Sequence, residues 1–221
     1  MNLRRMEFLI LLWKNKRMWT RGTLFILGLL FMTLGIALTI EANLGTSPFD
    51  AVLVGLAERA GMTVGIWEII LAGIFIMINS LLTRTAPEIA GLLTAFATGL
   101  FLDGWLFLLA GMHLESIISR TGLFLCAQLL LAAGTALYLH TKFAPIPIDR
   151  LMLVLIDKLH TSVAVTKTFL YAVCLVSAFL LAGPIGPGTV LTVLLGGILL
   201  QYAFIVLQRL GIMATYESSK S

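Results

Sequence analysis

The chain has 221 residues, 59 % of them hydrophobic and 12 % charged, with a mean hydropathy of +1.02. Soluble domains carry about 25 % charged residues, so this composition excludes an ordinary soluble fold. The net charge of +4 comes largely from residues 1–22, which hold six of the fifteen Lys and Arg; it points to anionic lipid headgroups and does not imply nucleic-acid binding.

In that basic segment a short apolar run at 8–13 is followed by Lys14, Lys16, Arg17 and Arg21. A signal peptide would show a small-residue cleavage site there, so an interfacial helix is predicted ahead of the first span. A single membrane domain over 23–221 follows. Its apolar runs fall at 23–40, 69–82, 89–112, 122–139, 168–185 and 190–207. Most are near the ~20 residues an α-helix needs to cross a bilayer core. Alternating ten-residue segments, the mark of a membrane β-barrel, are not seen. The fold class is all-α, a polytopic helical membrane protein, which leaves no room for a soluble catalytic domain.

The chain also repeats itself. Residues 21–68 and 120–167 align at a shift of 99 with eleven identities over 48 positions, where roughly five are expected by chance in so apolar a chain. Repeat 1 covers about 21–112 and repeat 2 about 120–209. In each, a long span (about 22–43 and 121–142) ends in a polar, turn-forming stretch. A Pro-x-Asp then opens a 13-residue helix, at Pro48 and Asp50 in one half and at Pro147 and Asp149 in the other. Proline suits a first helical turn, and aspartate there meets the positive end of the helix dipole. Two further spans complete each half, at 63–83 and 88–110, then 162–182 and 188–209.

Thirteen helical residues reach ~20 Å, short of a ~30 Å core. If the short helices are broken or interfacial, the chain has six spans, inverted repeats and both termini inside. Thirteen Lys and Arg then lie inside, with Arg59 and Arg120 outside. If they cross, there are eight spans and parallel repeats, with twelve inside and Arg84, Lys142 and Arg150 outside. Both arrangements obey the positive-inside tendency and both put the N-terminus in the cytoplasm; helix length favours six.

Charges within apolar runs are costly, so each invites a role. Asp103 stands deepest, with Gln201 as its counterpart at an offset of 98; it reads either as a cation- or proton-linked group or as an interfacial aspartate. Asp50 and Asp149 read as helix caps or as solute contacts. Glu41 and Asn43 close the first span, where His140 and Lys142 close the second. Broken helices expose backbone groups and dipole ends, where carriers often bind substrate. Glu68 and Lys167, opposite in sign at matching positions, are compatible with a salt bridge between repeats, although inversion would place them near opposite faces. Gln128 and Asn79 read as interhelical hydrogen-bonding residues and several glycines as sites of close helix contact. His113, His140 and His160 fall at span ends. Cys126 and Cys174 lie inside apolar runs and read as packed hydrophobes. No HExxH, Gly-x-Ser-x-Gly, P-loop or metal-spaced cysteine pair is present, so no enzyme, cofactor or metal is expected.

The run from Asn43 to Asp50, Asn-Leu-Gly-Thr-Ser-Pro-Phe-Asp, followed by Gly-Met-Thr-Val-Gly-Ile-Trp at 61–67, resembles the YczE-like bacterial membrane proteins, relatives of the YitT group. That family's pattern has Leu-Gly-x-Ser-Pro-Trp-Asp, then Gly-Leu-(Ser/Thr)-x-Gly-x-Trp. An Asp late in the third span is matched by Asp103, and a second Pro-x-Asp by Pro147 and Asp149. A Gly-x-Gly-Thr turn is matched at 186–189 and a Gly-x-x-x-Gln at Gly197 and Gln201. Phe49 stands where the family has Trp, and Ala144 where it has Gly. The resemblance implies a multi-pass protein of the bacterial inner membrane. From the residues, the expected function is a small-solute carrier or permease with a site between the repeats, framed by Asp50, Asp149, Asp103, Gln201, Glu41 and Asn43. The alternative is a non-transporting membrane partner that stabilises or regulates another complex; the partners expected are the lipid bilayer, an unknown small solute or ion, and a second copy of the chain or a membrane partner protein.

Overall fold

The computed structural model describes residues 3–112 and 114–210; His113 therefore lies outside the described residues. Within them the chain forms eight helices and no strand. These are α1 (Leu3–Glu41), α2 (Pro48–Ala60), α3 (Val64–Thr83), α4 (Ile89–Leu109), α5 (Ile117–His140), α6 (Pro147–Leu159), α7 (Val163–Leu180) and α8 (Pro187–Arg209). Five stretches are long and apolar enough to cross a membrane: Arg21–Glu41 of α1, α3, α4, α5 and α8. The apolar part of α7, Val165–Leu180, is shorter. No turn separates the basic N-terminal segment from the first apolar stretch; α1 runs through both.

Local chemistry sets the helix starts. The hydroxyls of Ser47, Thr63, Ser116 and Ser162 accept from backbone N–H groups of the first turns of α2, α3, α5 and α7, filling donors that have no partner inside a helix. Pro48 and Pro147 stand in the first turns of α2 and α6, which coincide with the short helices expected at 48–60 and 147–159.

The spine of the molecule is the crossing of α1 and α5. A Cβ on Gly28 would sit 2.5 Å from the backbone N of Tyr138, and one on Gly35 would sit 2.6 Å from that of Leu131. Gly134 lies against the backbone of Met32. Contacts 28, 32 and 35 thus meet 138, 134 and 131 in reverse order, so the two helices run antiparallel. Small residues allow this approach where lipid supplies no hydrophobic drive. Leu29, Met32, Ile36, Leu102 and Tyr138 form the buried core beside the crossing.

Each chain break is held by a corner of the other half. The break at 42–47 is clasped by the α7–α8 turn: Thr46 N–H donates to Pro184 O (3.2 Å), and Gly188 N–H donates to Leu44 O (2.7 Å). The break at 141–146 is clasped by the α3–α4 corner. There Asn79 Nδ2 donates to Pro147 O (3.1 Å), Thr94 Oγ1 donates to Ala144 O (3.0 Å), and Arg150 pairs with Glu88 at 2.7 Å. The short helices consequently pack on helices of the opposite half, α2 on α7 and α6 on α3.

Candidate functional site: a cavity between the halves

The first turns of α2 and α6 open on one cavity of about 440 Å³, lined by Ser47, Phe49 and Asp50 from the first and Ile148 and Asp149 from the second. The far ends of both helices, Glu58 and Arg59, and Asp157 and Lys158, are exposed. Both positive dipole ends therefore face the cavity, and each carries its own carboxylate. Asp50 is buried and accepts from Ser47 Oγ (2.6 Å) and Thr46 Oγ1 (3.4 Å). Its own N–H donates back to Ser47 Oγ (3.2 Å), a closed local ring that fixes the carboxylate. Asp149 is held differently, by Tyr138 Oη–H at 2.8 Å. Tyr138 comes from α5, so this side of the site is set by the spine.

Two further charges line the same space, Glu68 from α3 and Lys167 from α7. Glu68 is 4 % exposed, and among the described residues no hydrogen bond or ion pair reaches its carboxylate. Lys167 Nζ sits 5.3 Å from the centre of the Tyr171 ring, within cation–π range. It makes no ion pair among the described residues. Gln128 Nε2 donates to Thr192 Oγ1 (2.6 Å) across α5 and α8, and both line the cavity. The remaining wall is largely apolar, with Met32, Ile36, Leu102, Leu131 and Tyr171 among its members.

Of the six residues expected to frame a site, the cavity thus brings together Asp50 and Asp149. Asp103 lies elsewhere. Its carboxylate accepts from Thr63 Oγ1 and from Gly65 N–H (2.8 Å), tying the start of α3 to α4. Gln201 is exposed on α8, next to the cavity-lining Leu200. Glu41 ends α1 half-buried, and Asn43 is exposed in the turn that follows, with φ of +51°; neither lines the cavity. Glu68 and Lys167 were legible as charges inside apolar stretches, the signal that ordinarily marks an intramembrane site. Their matching positions with opposite signs suggested a pair, but the structure puts both on one cavity without pairing them.

The family of unknown function DUF6198 matches residues 19–204. Among curated proteins, the chain is 46 % identical over 184 residues to the uncharacterised protein YyaS of Bacillus subtilis (strain 168), covering 83 % of this chain and 92 % of that one. It is 33 % identical over 186 residues to the uncharacterised membrane protein YczE of the same organism, covering 83 % and 85 %. An uncharacterised protein of Haemophilus influenzae is 28 % identical over 203 residues, covering 90 % and 91 %. No solved structure matches.

Proposed function

The chain belongs to DUF6198, and for this multi-pass helical membrane protein we propose the role of a small-solute carrier whose site is the cavity between its two halves. The observation that carries the reading is the convergence of two half-helix N-termini, each with a carboxylate in its first turn, on one cavity. Carriers built from inverted repeats use this device: broken helices present dipole ends and backbone groups at a site that two halves can expose in turn. Antiparallel packing of α1 and α5, the first helices of the two halves, supports six spans and inverted repeats; eight spans would set them parallel. The reciprocal clasping of each break by the other half supports a motion in which the halves rock about the spine. The Bacillus and Haemophilus relatives support a bacterial plasma-membrane location, and the charge distribution supports a cytoplasmic N-terminus.

Thr135 is half-buried on α5, lines the cavity and, among the described residues, hydrogen-bonds only its own helix. A Thr135→Cys variant in a background without Cys126 and Cys174 tests the reading with no knowledge of the substrate. A carrier presents this thiol to an impermeant maleimide from outside in cells and from inside in inverted vesicles. Labelling from one face alone, or from neither, contradicts transport and favours a fixed pocket.

A further inference from the structure

We propose that the cavity binds a small organic cation, an ammonium group on an apolar body, with Glu68 as the principal counter-charge. This rests on the carrier reading only for where the ligand goes, not for whether it binds. Asp50, Glu68 and Asp149 place three carboxylates around one space that holds a single ammonium, Lys167. Asp50 and Asp149 already accept from hydroxyl donors and stand in the first turns of their helices, so both carboxylates have partners within the protein. Glu68 differs: it is more than nine-tenths buried, lines the cavity and has no hydrogen-bond or ion-pair partner among the described residues. Burial disfavours a carboxylate that has no partner, and an incoming ammonium would supply the missing one.

Shape narrows the class. Among the described residues no three His, Cys, Asp or Glu side chains converge closely enough to hold a metal ion. The carboxylates are instead spread round a space of about 440 Å³ with aliphatic and aromatic walls, a volume in the range of small-molecule sites. An anion is disfavoured, because the positive helix ends that would attract it are occupied by Asp50 and Asp149. Lys167, parked on the Tyr171 ring and without an ion pair among the described residues, is the tethered cation that a ligand must outcompete.

The probe is 2-phenylethylammonium, with 2-phenylethanol and 3-phenylpropionate as neutral and anionic matches, added at millimolar concentration to the full chain purified in detergent. Thermal unfolding is followed by tryptophan fluorescence. The cation is expected to raise Tm, with the neutral and anionic compounds much weaker. Glu68→Gln should weaken the cation by at least tenfold while leaving the ligand-free Tm unchanged or higher, since Gln replaces a carboxyl that has no partner in the ligand-free protein; that second readout separates lost binding from misfolding. Lys167→Gln should tighten the cation severalfold, a gain no structural defect would give. Stabilisation by the anion, equal effects of all three compounds, or wild-type affinity in Glu68→Gln would overturn the proposal. Binding without two-sided access at position 135 would leave the cation site standing and remove the carrier. Two-sided access with preference for the anion would do the reverse.

Discussion

The helix pairs α3–α4 and α7–α8 occupy corresponding places along the two halves, yet they are built differently. In α3–α4, Gly65 and Gly99 meet backbone to backbone, and Asp103 ties Thr63 Oγ1 and Gly65 N–H to α4. In α7–α8 the residue matching Asp103 is Gln201, exposed and without a hydrogen bond among the described residues. Gly197, which matches Gly99, has open space where a Cβ would go. The apolar part of α8 is 6 % buried against 28 % for α4, and α7 and α8 share no extended contact. One pair is a closed wall; the other diverges, and the cavity reaches Thr192, Gly196 and Leu200 between its helices. The difference teaches that corresponding segments of one chain need not pack alike. The Asp103 carboxylate and the Gly65–Gly99 contact shut one side; on the other, where Gln201 stands for Asp103 and Gly197 meets nothing, room is left for a ligand.

The largest test of this contrast is Gly65→Val against Gly197→Leu. The first forces a side chain into the Gly99 carbonyl and should cost about 3 kcal/mol or more, the upper end of overpacking. The second enters open space and should fall within about 0.5 kcal/mol. Both are read by unfolding in mixed detergent micelles, and equal costs would erase the distinction. Next comes Asp103→Ala, which removes two charge-assisted bonds and should destabilise by about 1.5–3 kcal/mol, whereas Gln201→Ala should be near neutral. Adding Thr63→Ala to Asp103→Ala should cost less than the sum of the single changes, because the two share one bond. The smallest effect belongs to Glu88→Ala. Its pair with Arg150 is 39 % and 49 % exposed and is worth under about 1 kcal/mol after solvent screening. A larger loss would mean that this pair, and not the Asn79 and Thr94 bonds, holds the second break.

Much of the architecture was written locally. Pro48 with Asp50, and Pro147 with Asp149, announced two 13-residue helices, because capping and dipole chemistry depend on adjacent residues. The apolar runs likewise marked the long helices. What stayed hidden depended on crossings between distant segments. Asp103 could be read as a cavity group or an interfacial one; its attachment to Thr63 and Gly65 exists only because α3 and α4 cross at Gly65 and Gly99. Glu68 and Lys167 were visible as charges in apolar stretches, and inversion argued that they stand apart. Packing of α3 on α6 and of α7 on α2 brings both to the same space, a result that no spacing along the chain encodes. Glu41 and Asn43 drew attention by standing at the break, where turn geometry accounts for the positive φ of Asn43.

The central claim is that the two short helices enter one cavity from opposite faces of the membrane. Ala60 and Leu159 are exposed, end α2 and α6, and correspond at the 99-residue shift. Ala60→Cys and Leu159→Cys, each made without Cys126 and Cys174, should react on opposite sides with an impermeant maleimide: position 60 in intact cells, position 159 only after the membrane is opened. Labelling of both positions from the same side would contradict the inverted arrangement and, with it, the account of the cavity as a site shared by two opposed halves.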